Sequence, residues 1–217
     1  MTVETSSKLE ILRRIREANY TSSGEEAARN GWRGVPRNYK RARVHPQEVM
    51  LDLLVDRLRE YDATVIRSDH DRIAHHVALR LEERGKNGLV IPAGIPASWL
   101  SVGFEFVRDD GLTFKELDML GGVLTGSTLA IAETGTIVLQ NLPGQGRRAI
   151  SLIPDYHLCL VCTEDVVETV PEAMRWLQHT ATLATTFISG PSATADIEMT
   201  RIKGVHGPRT LDVILYA

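Results

Sequence analysis

Cysteine is nearly absent from this chain of 217 residues: there are two, Cys159 and Cys162. An iron–sulfur cluster normally takes four cysteine thiolates, so no cluster is expected in this chain. The two do fall at C-x-x-C spacing in His157-Leu-Cys-Leu-Val-Cys, which raises a redox pair or half a metal site. The apolar run Tyr156–Val161 contains no helix start, however, and reads as a buried strand. Positions three apart on a strand point to opposite faces, which suits neither a chelate nor a disulfide. Both are therefore read as buried structural thiols.

An excess of charge is also missing. With 25 basic and 28 acidic residues the net charge is −3, which calls for neither nucleic acid nor an anionic membrane surface as a partner. No apolar run approaches the roughly 20 residues that cross a bilayer. The first residues, Met1-Thr-Val-Glu-Thr-Ser-Ser, show no basic segment leading into an apolar one, so a cytoplasmic location is expected. Repeats, low-complexity tracts, a Walker A sequence and an H-E-x-x-H pattern are all lacking. His70, His75 and His76 lie close in sequence, but on a helix His75 and His76 diverge by about 100° and do not face one site.

What remains is an ordinary globular composition, 43% hydrophobic and 24% charged, long enough to bury a core without disulfides or metals. Residues 1–45 are expected to form an N-terminal helix and a basic arm, and residues 46–217 one domain. Leu9, Leu12 and Ile15 have helical spacing within Ser7–Ala18, with Ser6 or Ser7 as N-cap. Tyr20–Val44 is broken by Gly24, Gly31, Gly34 and Pro36 and carries Arg33, Arg37, Lys40, Arg41 and Arg43. It reads as a loop-like basic arm packed on the domain, or as a docking surface for an acidic partner.

From Pro46 onward helices and strands alternate. Helices are expected over Pro46–Glu60, Asp71–Arg84, Thr113–Leu120 and Pro171–Leu183. Strands are expected over Ala63–Arg67, Gly88–Ile91, Phe104–Val107, Thr136–Leu139, Ala149–Ile153, Leu158–Val161 and Thr210–Leu215, with another ending at Ile188. The fold class is α/β: three layers, with a mainly parallel sheet and helices on both faces. The closely spaced strands between Thr136 and Val161 suggest a hairpin or meander built into that sheet.

Three stretches invite a chemical reading. Gly144-Gln-Gly146-Arg-Arg-Ala149 matches the dinucleotide fingerprint, but a strand rather than a helix is expected after it, so it reads as a glycine turn. Arg147 and Arg148 on that turn could contact an anion, although arginines on turns are usually solvated. Glu133 sits between apolar Leu129–Ala132 and a strand, beside Gly135. Desolvation there would raise its pKa and suit it to base or nucleophile work; equally, it braces a turn. Ser189–Arg209 is the densest polar stretch, and it follows a strand end, where ligands of open α/β sheets bind. His206 and Arg209 there suit recognition of a small carboxylate or phosphate. The alternative is an ordinary polar loop.

Ala130-Ile-Ala-Glu-Thr-Gly-Thr-Ile-Val-Leu139, Ile188-Ser-Gly-Pro-Ser192, Thr194-Ala-Asp-Ile-Glu198 and Gly204-Val-His-Gly-Pro-Arg209 together resemble the LUD-domain family, of the lactate-utilization C type. The resemblance runs from about Pro46 to the C-terminus with the motifs in family order. It implies the NagB/RpiA/CoA-transferase-like fold and a role in a bacterial system oxidising L-lactate to pyruvate. Iron–sulfur proteins would be its partners, and this chain the member without a cluster or other cofactor of its own.

The family pattern points to Glu133, Asp196 and His206 as catalytic positions. It points to Gly126, Thr134, Gly135, Ser189, Gly190, Ser192, Thr194, Glu198 and Arg209 as ligand-binding ones. Arg209 or His206 would hold the carboxylate, and Glu133 or Asp196 would handle a proton. Oxidation also needs an acceptor for two electrons, and no residue of this chain supplies one. Two rival expectations stand beside this one. The first is a stand-alone transferase or isomerase using Glu133, by analogy with the nucleophilic glutamate of CoA transferases. The second is a non-catalytic assembly or regulatory subunit.

Overall fold

A computed structural model describes residues 3–18, 25–194, 202–204 and 206–217. The chain divides into two compact units, 1–39 and 40–217.

In the first unit, helix α1 (Val3–Ala18) begins earlier than the expected serine caps and is laced by ion pairs from Arg13 to Glu10 and Glu17. The expected loop-like arm is in part a second helix, α2 (Glu25–Gly34). Arg37 closes its end: the guanidinium lies 4.6 Å from the centre of the Trp32 ring and donates to the Trp32 carbonyl at 2.9 Å. Gly31 and Gly34 read as loop punctuation in sequence, yet one glycine inside a helix costs only about 1 kcal/mol.

The second unit is built on six parallel strands in the order β1-β12-β7-β4-β2-β3: β1 (Thr64–Ser68), β2 (Gly88–Ile91), β3 (Glu105–Arg108), β4 (Val123–Thr125), β7 (Tyr156–Cys162) and β12 (Thr210–Tyr216). The two central strands sort their side chains by alternation. Cys159, Val161, Leu211, Val213 and Leu215 point to one face, where Met50, Leu54 and Leu58 of α3 (Gln47–Glu60) cover them. Leu158, Leu160 and Ile214 point to the other, under Ile73, Val77 and Leu81 of α4 (Ile73–Glu83). Helix α5 (Phe114–Leu120), opened by a Thr113–Glu116 capping box, adds Leu117 against Val90 and Val123. Two apolar faces on one parallel sheet must both be covered, and three layers result.

The strands between 136 and 161 do not form a meander in this sheet. β5 (Leu129–Ile131) and β6 (Thr136–Gln140) make an antiparallel hairpin in a separate sheet of order β8-β5-β6-β9, with β8 (Val166–Val167) and β9 (Thr185–Ile188). Ala130, Ile137 and Leu139 join the α3 face of the large sheet, while α6 (Val170–Leu177) packs Ala173 and Leu177 on Leu129, Ile131 and Val138 behind it. The expected strand Ala149–Ile153 is instead a 3₁₀ turn, Arg148–Ser151. β4 is already flanked by β2 and β7, so no sheet edge is open there, and Ile150 is buried as a plug beside Val90 and Val123. A last ribbon pairs β10 (Ala193–Thr194) with β11 (Ile202–Lys203).

Among the described residues, no helix is long and apolar enough to cross a membrane.

Candidate functional site

A pocket of about 220 Å³ opens where the small sheet meets the large one. Its floor comes from the second residues of two central strands, His157 of β7 and Leu211 of β12. One wall is the chain leaving β9, Ser189-Gly190-Pro191-Ser192, and another is His206-Gly207-Pro208. Arg148 and Ser151 on the 3₁₀ turn close the third side. The site thus lies at the carboxyl end of β9, as a strand-end site should, but at the amino edge of the parallel sheet rather than its carboxyl edge.

The walls are tied by their own hydrogen bonds. The His206 N–H donates to the Ser192 hydroxyl at 2.9 Å, and the Ser192 N–H donates to the Pro208 carbonyl at 2.8 Å. Gly190 has φ +84°, and a Cβ there would stand 2.4 Å from the Tyr61 Cβ, so glycine is required for the turn to close on the end of α3.

Arg148 carries the charge of the pocket. Its guanidinium donates to the Ser151 carbonyl at 3.1 Å and to the Ser151 hydroxyl at 3.0 Å. Among the described residues no carboxylate neutralises it, and burial alone pulls its pKa below the usual arginine value. An arginine stays charged under such conditions, so the pocket presents a cation that no described carboxylate pairs. Its neighbour Arg147 differs: it grips Asp109 with two bonds, 2.7 and 2.8 Å, and holds that carboxyl below its ordinary range.

His157 is 1% exposed. Burial first, then the Arg148 charge, pull its pKa down to about 4, so the imidazole is neutral at neutral pH. Its Nε2 lies 2.8 Å from the Thr125 hydroxyl. That hydroxyl reaches the Cys159 sulfur at 3.7 Å, and the Cys159 thiol reaches the Gly126 carbonyl at 3.8 Å. Burial pushes the Cys159 thiol up to about 12, with the Thr125 bond opposing; both cysteines are free, and Cys162 at the strand end is partly exposed.

The expected site residues separate into groups. Ser189, Gly190, Ser192 and His206 line the pocket. Thr194 lies next to it on β10. Arg209 turns outward to Asp155 at 3.1 Å and is not among the lining residues. Gly126 sits at the opposite, carboxyl edge of β4, its N–H on the Gly144 carbonyl at 2.8 Å. Thr134 reaches the pocket only through hydroxyls: Thr134 to Thr136 at 2.7 Å, and Thr136 to Ser189 at 2.7 Å. Gly135, φ +58°, turns tightly over α3, where a Cβ would lie 2.8 Å from that of Arg57. Asp196 and Glu198 lie outside the described residues.

Glu133 faces away from the pocket, toward Lys40, at 2.9 Å. The same ammonium pairs with Glu168, whose side chain is fully buried. Glu168 also accepts the N–H groups of Val44 and His45 at 2.8 and 2.9 Å and contacts His45 Nδ1 at 2.7 Å. Burial raises its pKa, but these donors overcome that and hold the carboxyl well below its usual range. Arg43 N–H on Glu172 at 2.9 Å and Arg175 on the Arg41 carbonyl at 2.7 Å complete the seam. This part of the basic arm is packed on the domain.

Sequence reasoning missed Glu168 altogether; it placed Arg148 on a solvated turn, where the residue is exposed, but not at the pocket. Glu168 resembles any acid ahead of a Thr169 capping box. The signal for Arg148 was the rejected fingerprint itself: Gly144 and Gly146 at φ +80° and +70° fold the turn back, and Arg148 follows it at the pocket. After the fingerprint comes a 3₁₀ turn, and neither a strand nor a long helix. Among the described residues no group of three or more His, Cys, Asp and Glu side chains is placed to hold a metal ion.

A family model for the LUD domain matches residues 115–216. A lactate utilization protein C of Deinococcus radiodurans is 43% identical over 163 residues, which is 74% of this chain and 76% of that protein. A protein of the same name from Shouchella clausii is 33% identical over 106 residues, 46% of each chain. A crystal structure of a DUF162 family protein from Deinococcus radiodurans aligns with a TM-score of 0.70 at 35% identity, covering 80% of this chain and 100% of that one.

Proposed function

The chain belongs to the LUD-domain family, and we propose that it serves L-lactate utilization as a cluster-free component that binds a small carboxylate, lactate or pyruvate, beside Arg148. The role is taken from the lactate utilization proteins it resembles. The ligand class rests on one observation: an exposed guanidinium, unpaired with any described carboxylate, lines a pocket whose other polar groups are serine hydroxyls and imidazoles. An arginine fork matches a carboxylate in shape and charge. Its neighbours supply hydroxyl groups for a second oxygen, and Leu211, Pro191 and Pro208 supply apolar contact for a short carbon chain.

Electron transfer falls to iron–sulfur partners in this reading. The chain has two thiols, one of them buried with its proton held on, and neither geometry nor number suits a cluster. Its own part is to hold the acid.

The test is calorimetry on the full chain with L-lactate, pyruvate and the neutral amide of lactate. Binding of the two acids without the amide is expected, together with co-purification of cysteine-rich iron–sulfur proteins from the native host. Equal binding of amide and acid would contradict the ligand half, and absence of such proteins the partner half.

A further inference from the structure

The hydrogen-bond chain behind His157 has a direction, and the direction fixes which proton the imidazole carries. Thr125 and Cys159 are fully buried and His157 is nearly so. The Cys159 thiol has one hydrogen, which it gives to the Gly126 carbonyl. Its sulfur can then accept the one hydrogen of the Thr125 hydroxyl. With that hydrogen on the sulfur, the Thr125 oxygen offers His157 only a lone pair, and Nε2, at 2.8 Å, is the nitrogen that carries the proton in this arrangement. The reverse arrangement, Thr125 donating to a bare Nε2, leaves the Cys159 sulfur without a donor and aims an N–H of the ring into a pocket that already holds the Arg148 cation. Both arrangements satisfy the buried donors, but the forward chain also gives the Cys159 sulfur a donor and meets that cation with a lone pair.

Nδ1 is then an acceptor. Among the described residues it has no hydrogen-bond partner and is not one of the polar atoms sealed from solvent, and the little surface His157 offers lines the pocket.

Resting on the reading of this pocket as a carboxylate site, we infer that His157 sets its selectivity. Nδ1 accepts a hydrogen bond from a ligand hydroxyl next to the carboxylate, so the pocket prefers a 2-hydroxy acid to the 2-oxo acid of the same skeleton. A 2-oxo group has no hydrogen to give, and it would set its oxygen lone pairs against that of the ring nitrogen. Arg148 recognises the class; His157 tells the reduced from the oxidised member.

Long-range proton–nitrogen NMR on the ligand-free protein, with His157 assigned by loss of its signals in His157→Gln, reads the tautomer directly. A protonated Nε2 and a bare Nδ1 are expected; a protonated Nδ1 would overturn the inference. Titration with L-lactate, pyruvate and propionate is expected to give about fivefold tighter binding of lactate than of either other acid, the worth of one ordinary hydrogen bond. Cys159→Ala removes the acceptor for the Thr125 hydrogen, which is then free to turn to Nε2, and the preference for lactate should narrow or reverse. Lactate and pyruvate binding equally, or an unchanged preference in Cys159→Ala, would overturn the inference while leaving the carboxylate pocket standing. Failure of all three acids to bind would remove the pocket reading and the inference with it.

Discussion

The hydroxyl of Thr136 lies 2.7 Å from that of Ser189, where β6 and β9 run side by side. This bond joins the two polar segments of the family pattern, and it is a join between backs rather than faces. On one side Ser189 looks into the pocket with Arg148 and His157. On the other, three residues before Thr136, Glu133 looks toward Lys40 and the arm. The segments are neighbours in space but serve two places: a ligand pocket and a seam that fastens residues 40–45.

Glu133→Gln is therefore expected to leave carboxylate binding in the pocket unchanged within about twofold. Its effect should be a small loss of stability, within about 1 kcal/mol, as for other exposed ion pairs. Calorimetry and a denaturant titration of the same variant check both halves. A covalent adduct trapped on Glu133 by a CoA ester would speak for the transferase alternative instead.

Glu168 governs the seam. Its folded pKa lies below the unfolded value, so its contribution is complete above the unfolded carboxylate pKa near 4.3 and is lost as pH falls through the folded one. Glu168→Gln should cost about 1.5–3 kcal/mol, the scale of hydrogen bonds to a charged group. Limited proteolysis should then cut within 40–45 faster than in the parent protein, and a parent-like pattern would show that the segment is held by other contacts.

His157 imposes a second pH dependence with a different window. Its folded pKa of about 4 is depressed from an unfolded value near 6.5, so unfolding takes up a proton between those limits. Stability should fall as pH drops from about 6.5 toward 4, with a limiting slope from this group of about 1.4 kcal/mol per pH unit. Arg148 is the charged group that adds to the depression, so Arg148→Met should raise the folded pKa toward the unfolded value, and the loss of stability should level off at a higher pH and be smaller in total. Thermal unfolding followed across pH 4 to 7, on both proteins, reads the shift (range set by the unfolded reference value).

Gly190→Ala should destabilise the fold by about 1–3 kcal/mol, since the backbone is left-handed there and the new Cβ meets Tyr61. The pocket wall moves with it, so weaker binding of the acid should accompany the lower melting temperature.

The purified chain should turn over no L-lactate with a nicotinamide, for it offers side chains to hold an acid and none to accept two electrons. A spectrophotometric assay for nicotinamide reduction checks this, and robust turnover would sink the component reading.

The parallel sheet was legible because β-rich runs such as Gly88–Ile91 and Leu158–Val161 alternate with capped helices such as Phe114–Leu120, and local spacing alone dictates those. The separate small sheet was not, because nothing local distinguishes Thr136–Gln140, which pairs antiparallel with its hairpin mate, from a strand of the main sheet. Ala149–Ile153 was misread for a similar reason: a short apolar run is a strand only where an edge is free to receive it. Ser189, Gly190, Ser192 and His206, which line the pocket, all belong to the one polar stretch Ser189–Arg209 with its turn residues, which a sequence displays directly. Glu168 owes its role to burial by distant segments, and Arg148, which stays exposed, owes its place to a turn that brings it beside distant strands. Arg209 was preferred to Arg148 because proximity along the chain stood in for proximity in space, and Asp155 takes its guanidinium.

The central claim is that Arg148 holds a carboxylate. Titrating L-lactate into the parent protein, Arg148→Met and Arg209→Met by calorimetry tests it most directly. The account predicts binding by the parent, a loss of at least about tenfold in Arg148→Met from the missing charge-assisted bonds, and parent-like affinity in Arg209→Met. Equal affinity in the parent and Arg148→Met, or a loss confined to Arg209→Met, would contradict it.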